Sequence, residues 1–338
     1  MKTDFKVLMV GCGAISFVWF EAFVKRTDCH IAGVVDINRQ MAEERAAQYG
    51  LKCPVFDDFD TAFAAVKPDI VVDLTFPFCH HDITVKSLRG GAHVFGEKPM
   101  CLDRDEAQDM VRTAEETGMV YNVHQNRRSM KGTRALRKAV AEGRLGKIWM
   151  TCCEIYVNSD LSSIRNTLPY PMLQDQAVHS FDSCRFILGA DAEAVYCHSY
   201  NPPGSKYNGD GSGCCIFDMS DGSTLVFNAV MDTDYMITPW HSQFRVIGEM
   251  GTAVWDGKED TLPRAELRQP DGSILKTELE PGDDWNGLMF HECGVEEMMT
   301  ALKEGKTYHG CGRDNYKSIA MTFSSIDSIK AGGKVKVW

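Results

Sequence analysis

The sequence predicts an α/β protein in two parts. The first is a doubly wound parallel sheet, and the second is an α+β domain on an open, mostly antiparallel sheet. Three observations carry this reading. Short apolar runs alternate with helical patterns as far as about residue 128, the order that produces parallel strands with helical crossovers. Those runs are apolar throughout, as strands covered on both faces must be. Beyond residue 128, longer β-favouring runs follow one another, and Asp221-Gly222 and Asp271-Gly272 supply hairpin-type turns between two pairs of them. The expected domains are 1–128 and 129–338, with a late helix able to pack back on the first.

In chain order, Lys6 to Val10 reads as a strand that stops at Gly11-Cys12-Gly13-Ala14-Ile15-Ser16, and a helical pattern follows through Phe17, Phe20 and Val24. Strand, Gly-x-Gly turn and helix form the dinucleotide-binding arrangement known as the Rossmann fingerprint, in which glycines let backbone amides approach a pyrophosphate at a helix N-terminus. Gly11, Gly13, Ala14 and Ile15 are its candidate contacts; Ser16 stands where a third small residue is usual. Ile31 to Val35 is a second strand ending at Asp36. A carboxylate there can accept both ribose hydroxyls of an adenosine and repels a 2′-phosphate. NAD is therefore favoured, while Arg39 keeps NADP possible. Asp36 could equally cap a helix over Arg39 to Tyr49.

Further helices are expected over Asp58–Val66, Asp82–Arg89 and Asp103–Thr117, the last with Asp103 and Glu106 spaced as a capping box. Strands are expected over Ile70–Leu74, from Ala92 and over Met119–Val123. The second half opens with a helix over Met130–Glu142. Strand-like runs over Lys147–Val157, Ala194–Ser199, Gly213–Met219, Ser223–Val230, Phe244–Gly248, Thr252–Trp255, Arg264–Leu267 and Ile274–Leu279 follow. A loop from Asn158 to Met172 and a helix over Asp175–Leu188 interrupt them. Helices over Trp285–Lys303 and Arg313–Lys330 precede a last strand, Lys334–Trp338.

Composition narrows the function. With 338 residues, 36 Lys plus Arg against 47 Asp plus Glu and a formal charge of −11, a general nucleic-acid binder is disfavoured. The 13 cysteines include no Cys-x-x-Cys and read as reduced core residues, neither a disulfide framework nor a metal site. No leader precedes the first strand and no run of 18 apolar residues exists, so the expectation is a cytoplasmic protein without membrane spans.

The chemistry concentrates at Ala92-His93-Val94-Phe95-Gly96-Glu97-Lys98-Pro99, a strand that ends in a charged pair and a proline. Strand tips are where open α/β sheets place their ligands. Burial lowers a lysine's pKa and a neighbouring carboxylate raises it, so Lys98 beside Glu97 can be tuned for proton transfer; a surface ion pair is the plainer alternative. Far downstream, Asp175 and His179 stand four apart on a helix and share a face. A carboxylate there raises the histidine's pKa and fixes its tautomer.

Gly-Cys-Gly-Ala, a strand-end Asp, Thr75 five before His80, the Gly-Glu-Lys-Pro segment and Asp175-x-x-x-His179 occur in one order. The chain thereby resembles the glucose–fructose oxidoreductase and inositol dehydrogenase family, end to end. The resemblance implies a nicotinamide along the tips of the parallel strands and a sugar or polyol against the second domain's sheet. It implies that Lys98 hydrogen-bonds the reacting oxygen, that His179 is the acid/base and that Asp175 orients it. It also implies pairing of subunits through the second sheet, as a homodimer or homotetramer, and contributes to an expected cis Lys98-Pro99 bond. The family's Thr-Pro-Asn turn is Thr75-Phe76-Pro77 here, which leaves one expected cofactor contact unassigned.

Other candidates are Thr75, Phe76, His80, Glu97 and Lys98 at the cofactor, and Arg127 at cofactor or substrate with a surface salt bridge as its alternative. Tyr156, Asn158 and Tyr235 offer hydroxyl-binding groups, and Trp240 or Trp285 could stack on a sugar. The leading function is an NAD(P)-dependent dehydrogenase of a sugar, polyol or sugar derivative. One alternative is an enzyme that retains NAD for transient oxidation in glycoside cleavage or epimerisation. Another is a non-catalytic sugar- or nucleotide-sensing regulator, which has no use for Lys98, Asp175 and His179 together.

Overall fold

A computed structural model describes residues 4–159, 164–283 and 285–338; positions 160–163 of the expected Asn158–Met172 loop lie outside the described residues. The chain forms two compact units, one of residues 1–126 and 289–316 and the other of residues 127–288 and 317–338.

The first unit holds a six-stranded parallel sheet. Its strands are β1 (Phe5–Val10), β2 (Cys29–Val35), β3 (Val55–Phe56), β4 (Ile70–Asp73), β5 (His93–Gly96) and β6 (Tyr121–Val123), in spatial order β3-β2-β1-β4-β5-β6. The two-residue β3 was not foreseen. It is too short to show a pattern and forms only by pairing with Val34 and Val35. Between the strands run α1 (Ser16–Val24), α2 (Arg39–Gln48), α3 (Phe59–Val66), α4 (His80–Arg89) and α5 (Arg104–Thr117). Asp58 caps α3 through the Thr61 amide, and Asp103 caps α5 through the amides of Asp105 and Glu106, each satisfying N–H groups that the helix cannot.

A later helix, α8 (Phe290–Glu304), belongs to this unit: Val295, Met298 and Met299 enter the core formed by Met9, Trp19, Phe20 and Phe23. It was expected to start at Trp285. Gly287, with φ of +82°, breaks the pattern, and the Trp285 indole instead donates to the Leu288 carbonyl at 2.9 Å.

The second unit contains α6 (Lys131–Ala141), β7 (Ile148–Tyr156), α7 (Val178–Leu188), β8 (Ala192–Tyr200), β9 (Ser212–Met219), β10 (Thr224–Val230), β11 (Gln243–Gly248), β12 (Gly251–Trp255), β13 (Arg264–Arg268), β14 (Ile274–Glu278) and β15 (Val335–Lys336). The last helix, α9 (Gly312–Ala331), begins in the first unit and ends in this one. The nine strands lie in the order β14-β13-β12-β11-β7-β10-β9-β8-β15. Neighbours pair antiparallel except β10 on β7, which is parallel, because α7, β8 and β9 intervene and supply the crossover a parallel pair requires. Phe181 of α7 stands edge-on to Phe217 and Phe227 at 5.0 and 5.1 Å and seals one face of the sheet.

The expected Asp175–Leu188 helix is not uniform. Met172–Ala177 winds as a π-helix and continues as α7. Asp175 lies in the wide turn and His179 in the α-helical one, an irregularity found often at functional sites.

Candidate active site

In the first unit, β1 and β4 are neighbours whose crossovers depart in opposite directions along the sheet, the switch point where such sheets bind ligands. Gly11 closes β1 with φ of +93°, and a Cβ there would come within 2.7 Å of the Leu74 carbonyl oxygen. A Cβ on Gly13 would meet nothing within 4 Å, so the backbone is open to an approaching group. Ala14 and Ile15 are exposed, and the first turn of α1 carries no acidic residue, which leaves its amides suited to an anion. Ser16 is fully buried and donates its hydroxyl to the Gly13 carbonyl at 2.7 Å, so it fits the turn in place of a third glycine.

Asp36 at the tip of β2 accepts from the Cys12 amide at 2.7 Å and the Asn38 amide at 2.8 Å. It does not cap α2, whose N-cap is Asn38; it ties the glycine turn to the second strand tip. Arg39 is paired with Glu43 at 2.9 Å. Sequence reasoning missed Arg45, whose guanidinium reaches the carbonyls of Cys12 and Gly13 at 3.4 Å. The open backbone at Gly13, the α1 terminus and the Asp36 carboxylate fit a dinucleotide.

At the tip of β4, the Thr75 amide and hydroxyl both donate to Asp73, at 3.1 and 2.6 Å. Burial pushes the Asp73 carboxyl upward. Phe76 is exposed and stacks on Phe78. His80, expected to line the cofactor cleft, is buried, with Nδ1 2.9 Å from the Pro99 carbonyl and Nε2 3.1 Å from that of Thr75. Its ring ties the β4 tip to the segment after Lys98.

The Lys98-Pro99 bond is cis, as expected, and Lys98 is half-buried. Glu97 was expected to hold Lys98 cationic. Its carboxylate, 7% exposed, accepts from Trp19 Nε1 at 2.7 Å and His291 Nε2 at 2.8 Å, and from the backbone amide of Lys98 at 3.0 Å. Burial alone would raise its pKa. The hydrogen bond and charge of His291, helped by His124 and Trp19, outweigh burial and hold the carboxyl at about 2. His124 packs its ring 4.5 Å from that of His291 and edge-on to Trp19. Burial and the charge of His291 push it down to about 3. Nothing local in the sequence marks His291, which joins this cluster from 194 residues away.

In the second unit, His179 is buried on α7. Asp175 accepts from Arg165 Nε at 2.6 Å, a partner the sequence did not suggest, and the Arg165 guanidinium lies over the Trp240 ring at 5.6 Å. Arg127 is not a surface salt bridge. It is 2% exposed and makes no ion pair among the described residues, and Nη1 reaches only the hydroxyls of Ser242 and Ser180 at 3.3 and 3.4 Å. Burial lowers its pKa to about 10. Ser180 adjoins His179, and Ser242 holds a φ of +73°, a strain that accumulates at binding sites. A buried guanidinium with weak partners is suited to a hydroxyl-rich or anionic ligand. Asp182 serves a different end, gripping Arg128 with both oxygens.

Three candidates do not join this group. Cys153 faces Cys184 on α7, so by strand alternation Tyr156, three residues on, points to the opposite face of the sheet. There burial and Glu154 raise its phenol to about 12. Asn158 is engaged with Asp234 and Lys206. Tyr235 is 83% exposed. All three sit near a strand end in sequence, and strand alternation turns Tyr156 away from α7. Among the described residues no cluster of side chains suited to a metal ion occurs.

Residues 5–125 match the model of an oxidoreductase family with an NAD-binding Rossmann fold, and residues 133–254 match the C-terminal domain of the same GFO/IDH/MocA family. The chain is 28% identical over 346 residues to inositol 2-dehydrogenase of Rhizobium meliloti (strain 1021), covering 97% of this chain and 98% of that one. It is 28% identical over 218 residues to D-glucoside 3-dehydrogenase of Escherichia coli (strain K12), covering 61% and 60%. Levoglucosan dehydrogenase, solved with NADH and levoglucosan, superposes with a TM-score of 0.87 at 17% identity over 99% of each chain.

Proposed function

Since this chain belongs to the GFO/IDH/MocA family of oxidoreductases with an NAD-binding Rossmann fold, we propose that it is an NAD-dependent dehydrogenase acting on a CH–OH carbon of a sugar, polyol or sugar derivative. One observation carries the reading. The glycine turn, Asp36 and Lys98 stand at the carboxyl ends of β1, β2 and β5 in a single parallel sheet, where such sheets hold their ligands. Gly11, Gly13, Ala14, Ile15, Asp36 and Thr75 hold the dinucleotide, which supplies the hydride acceptor. Lys98 hydrogen-bonds the reacting oxygen and stabilises its developing negative charge. His179 takes the hydroxyl proton, a task for a group that titrates near working pH. Asp175, itself held by Arg165, fixes the ring, and Arg127 binds substrate hydroxyls. The names of the inositol, glucoside and levoglucosan relatives support the substrate class.

We further infer a homodimer or homotetramer. Met150 on β7, Ile216 on β9 and Tyr196 on β8 lie 37, 44 and 43% exposed on one face of the second sheet, with only β10 between β7 and β9, and a second copy of the same face covers them most simply. Thirteen free thiols suit a reducing compartment such as the cytoplasm.

The test is a panel of sugars and polyols offered with NAD and with NADP, read at the absorbance of the reduced nicotinamide. Net NADH formation with at least one polyol supports the reading. NADH binding with no turnover on any of them, in either direction, sinks it.

A further inference from the structure

Glu97 is an ionisable group that the proposed chemistry does not use, yet it is among the most completely engaged carboxylates of the first unit. One oxygen accepts from Trp19 on α1 and from His291 on α8; the other accepts from the amide of Lys98. All three of Trp19, His291 and Glu97 are at least nine-tenths buried. An isolated carboxylate in such a place would be expelled or protonated. His291 is the group that keeps it ionised, because Trp19 supplies one neutral donor and the ring nitrogens of His124 make no hydrogen bond among the described residues.

We propose that His291 is a positioning residue for Lys98, acting through Glu97. This rests on the assignment of Lys98 to the reacting oxygen. The route is short and wholly inside one unit: the His291 ring fixes the Glu97 carboxylate, and the carboxylate fixes the backbone amide from which the Lys98 side chain projects. Helix α8 thus does more than cover α1, since its second residue sets the strand tip that carries the reactive lysine. Glu97 itself exchanges no proton; it is a fixed negative charge. The groups facing the pair are His291 and Glu297 from α8, His124 after β6, and His309, which pairs with Glu297 at 2.9 Å. With His291 replaced, Glu97 keeps only neutral donors, the Trp19 indole and the Lys98 amide, beside a neutral His124, and burial then favours its protonated form. A protonated Glu97 holds the Lys98 amide less firmly.

The test uses the full chain labelled with ¹⁵N-lysine, with the Lys98 amide assigned by its disappearance in Lys98→Met. In His291→Ala the Lys98 amide resonance should move and exchange with solvent about tenfold faster or more, the equivalent of one lost charge-assisted bond. Turnover should fall about 10- to 100-fold, the range for a small misplacement of a reacting group, with NADH affinity held. A new acid limb should enter the kcat profile as Glu97 protonates. His291→Gln keeps a donor in place and should recover most of the loss. Glu292→Gln, at an exposed ion pair on the same helix, should change neither quantity. If His291→Ala does not fold, His291→Phe carries the same test by keeping a ring while removing the donor to Glu97. An unmoved Lys98 amide in the variants that fold overturns the proposal whatever the activity. A displaced amide together with normal turnover in Lys98→Met upholds the positioning and overturns only the catalytic assignment of Lys98.

Discussion

Replacing Asp36 by alanine removes an acceptor that serves both the fold and the cofactor. Its two oxygens hold the amides of Cys12 and Asn38 at 2.7 and 2.8 Å. The Asn38 amide lies at the exposed surface and water can replace the carboxylate there. Cys12 is 2% exposed, and leaving its N–H without an acceptor costs about 1–3 kcal/mol. A modest drop in stability is therefore expected, well short of unfolding. The effect on the ligand is larger. Hydrogen bonds to a charged acceptor contribute about 1.5–3 kcal/mol each, so losing one from a ribose hydroxyl weakens NADH by roughly 10- to 100-fold. A carboxylate about 4 Å from a phosphate costs roughly 1 kcal/mol per unit charge even in water, and that repulsion also disappears. Arg45, on the neighbouring helix and within 3.4 Å of the glycine turn, remains as a nearby cation. Preference for NADH over NADPH should collapse by about 100-fold, mostly through weaker NADH. Fluorescence titration of both reduced nucleotides against wild type and Asp36→Ala measures it. A variant that binds NADH as tightly as wild type and still rejects NADPH would refute the reasoning.

The catalytic set gives a second expectation: Lys98→Met and His179→Ala should each lose about 10²–10⁴ in turnover while NADH affinity survives. Asp175→Asn should lose less, and near-normal turnover in His179→Ala would move the proton to Lys98. Assembly gives a third. Light scattering at micromolar concentration should report at least twice the 37.7 kDa chain, and a monomer mass would exclude the sheet-face pairing. The buried Arg128–Asp182 fork, with side chains 4% and 1% exposed, gives a fourth: Asp182→Asn should cost about 3–5 kcal/mol in urea unfolding by removing a buried counter-charge, and a cost under 1 kcal/mol would show that the pair contributes little. The fifth concerns pH. The Glu97 carboxyl is held at about 2, below the roughly 4.3 of an unfolded glutamate. Its stabilisation is present above the unfolded value and lost as pH falls toward the folded one. The stability gap between wild type and Glu97→Gln should thus be wide at pH 6 and narrow toward pH 3; a constant gap would show that the ionised form contributes nothing.

What could be read from the sequence divides along a physical line. The parallel sheet was legible because continuous apolar runs such as Val7–Val10 and Ile70–Val72 admit one explanation, and the glycine turn was legible because Gly11 lies where a Cβ meets the Leu74 carbonyl. Asp36 was legible as a strand-tip carboxylate, although its second duty toward Cys12 was not, since a hydrogen bond to a backbone amide leaves no mark on composition. Strand alternation governs Tyr156 as well: counting from a buried Cys153 turns its side chain away from α7. Long-range partners were beyond reach. Arg165 on Asp175 and His291 on Glu97 join segments 10 and 194 residues apart, and no periodicity links them. Both partners hold a carboxylate that adjoins a residue of the proposed chemistry. Motif spacing therefore marks the side chains proposed to meet the substrate, because they share one helix face or one strand tip. The residues that aim them obey only packing, and their positions follow from the fold alone.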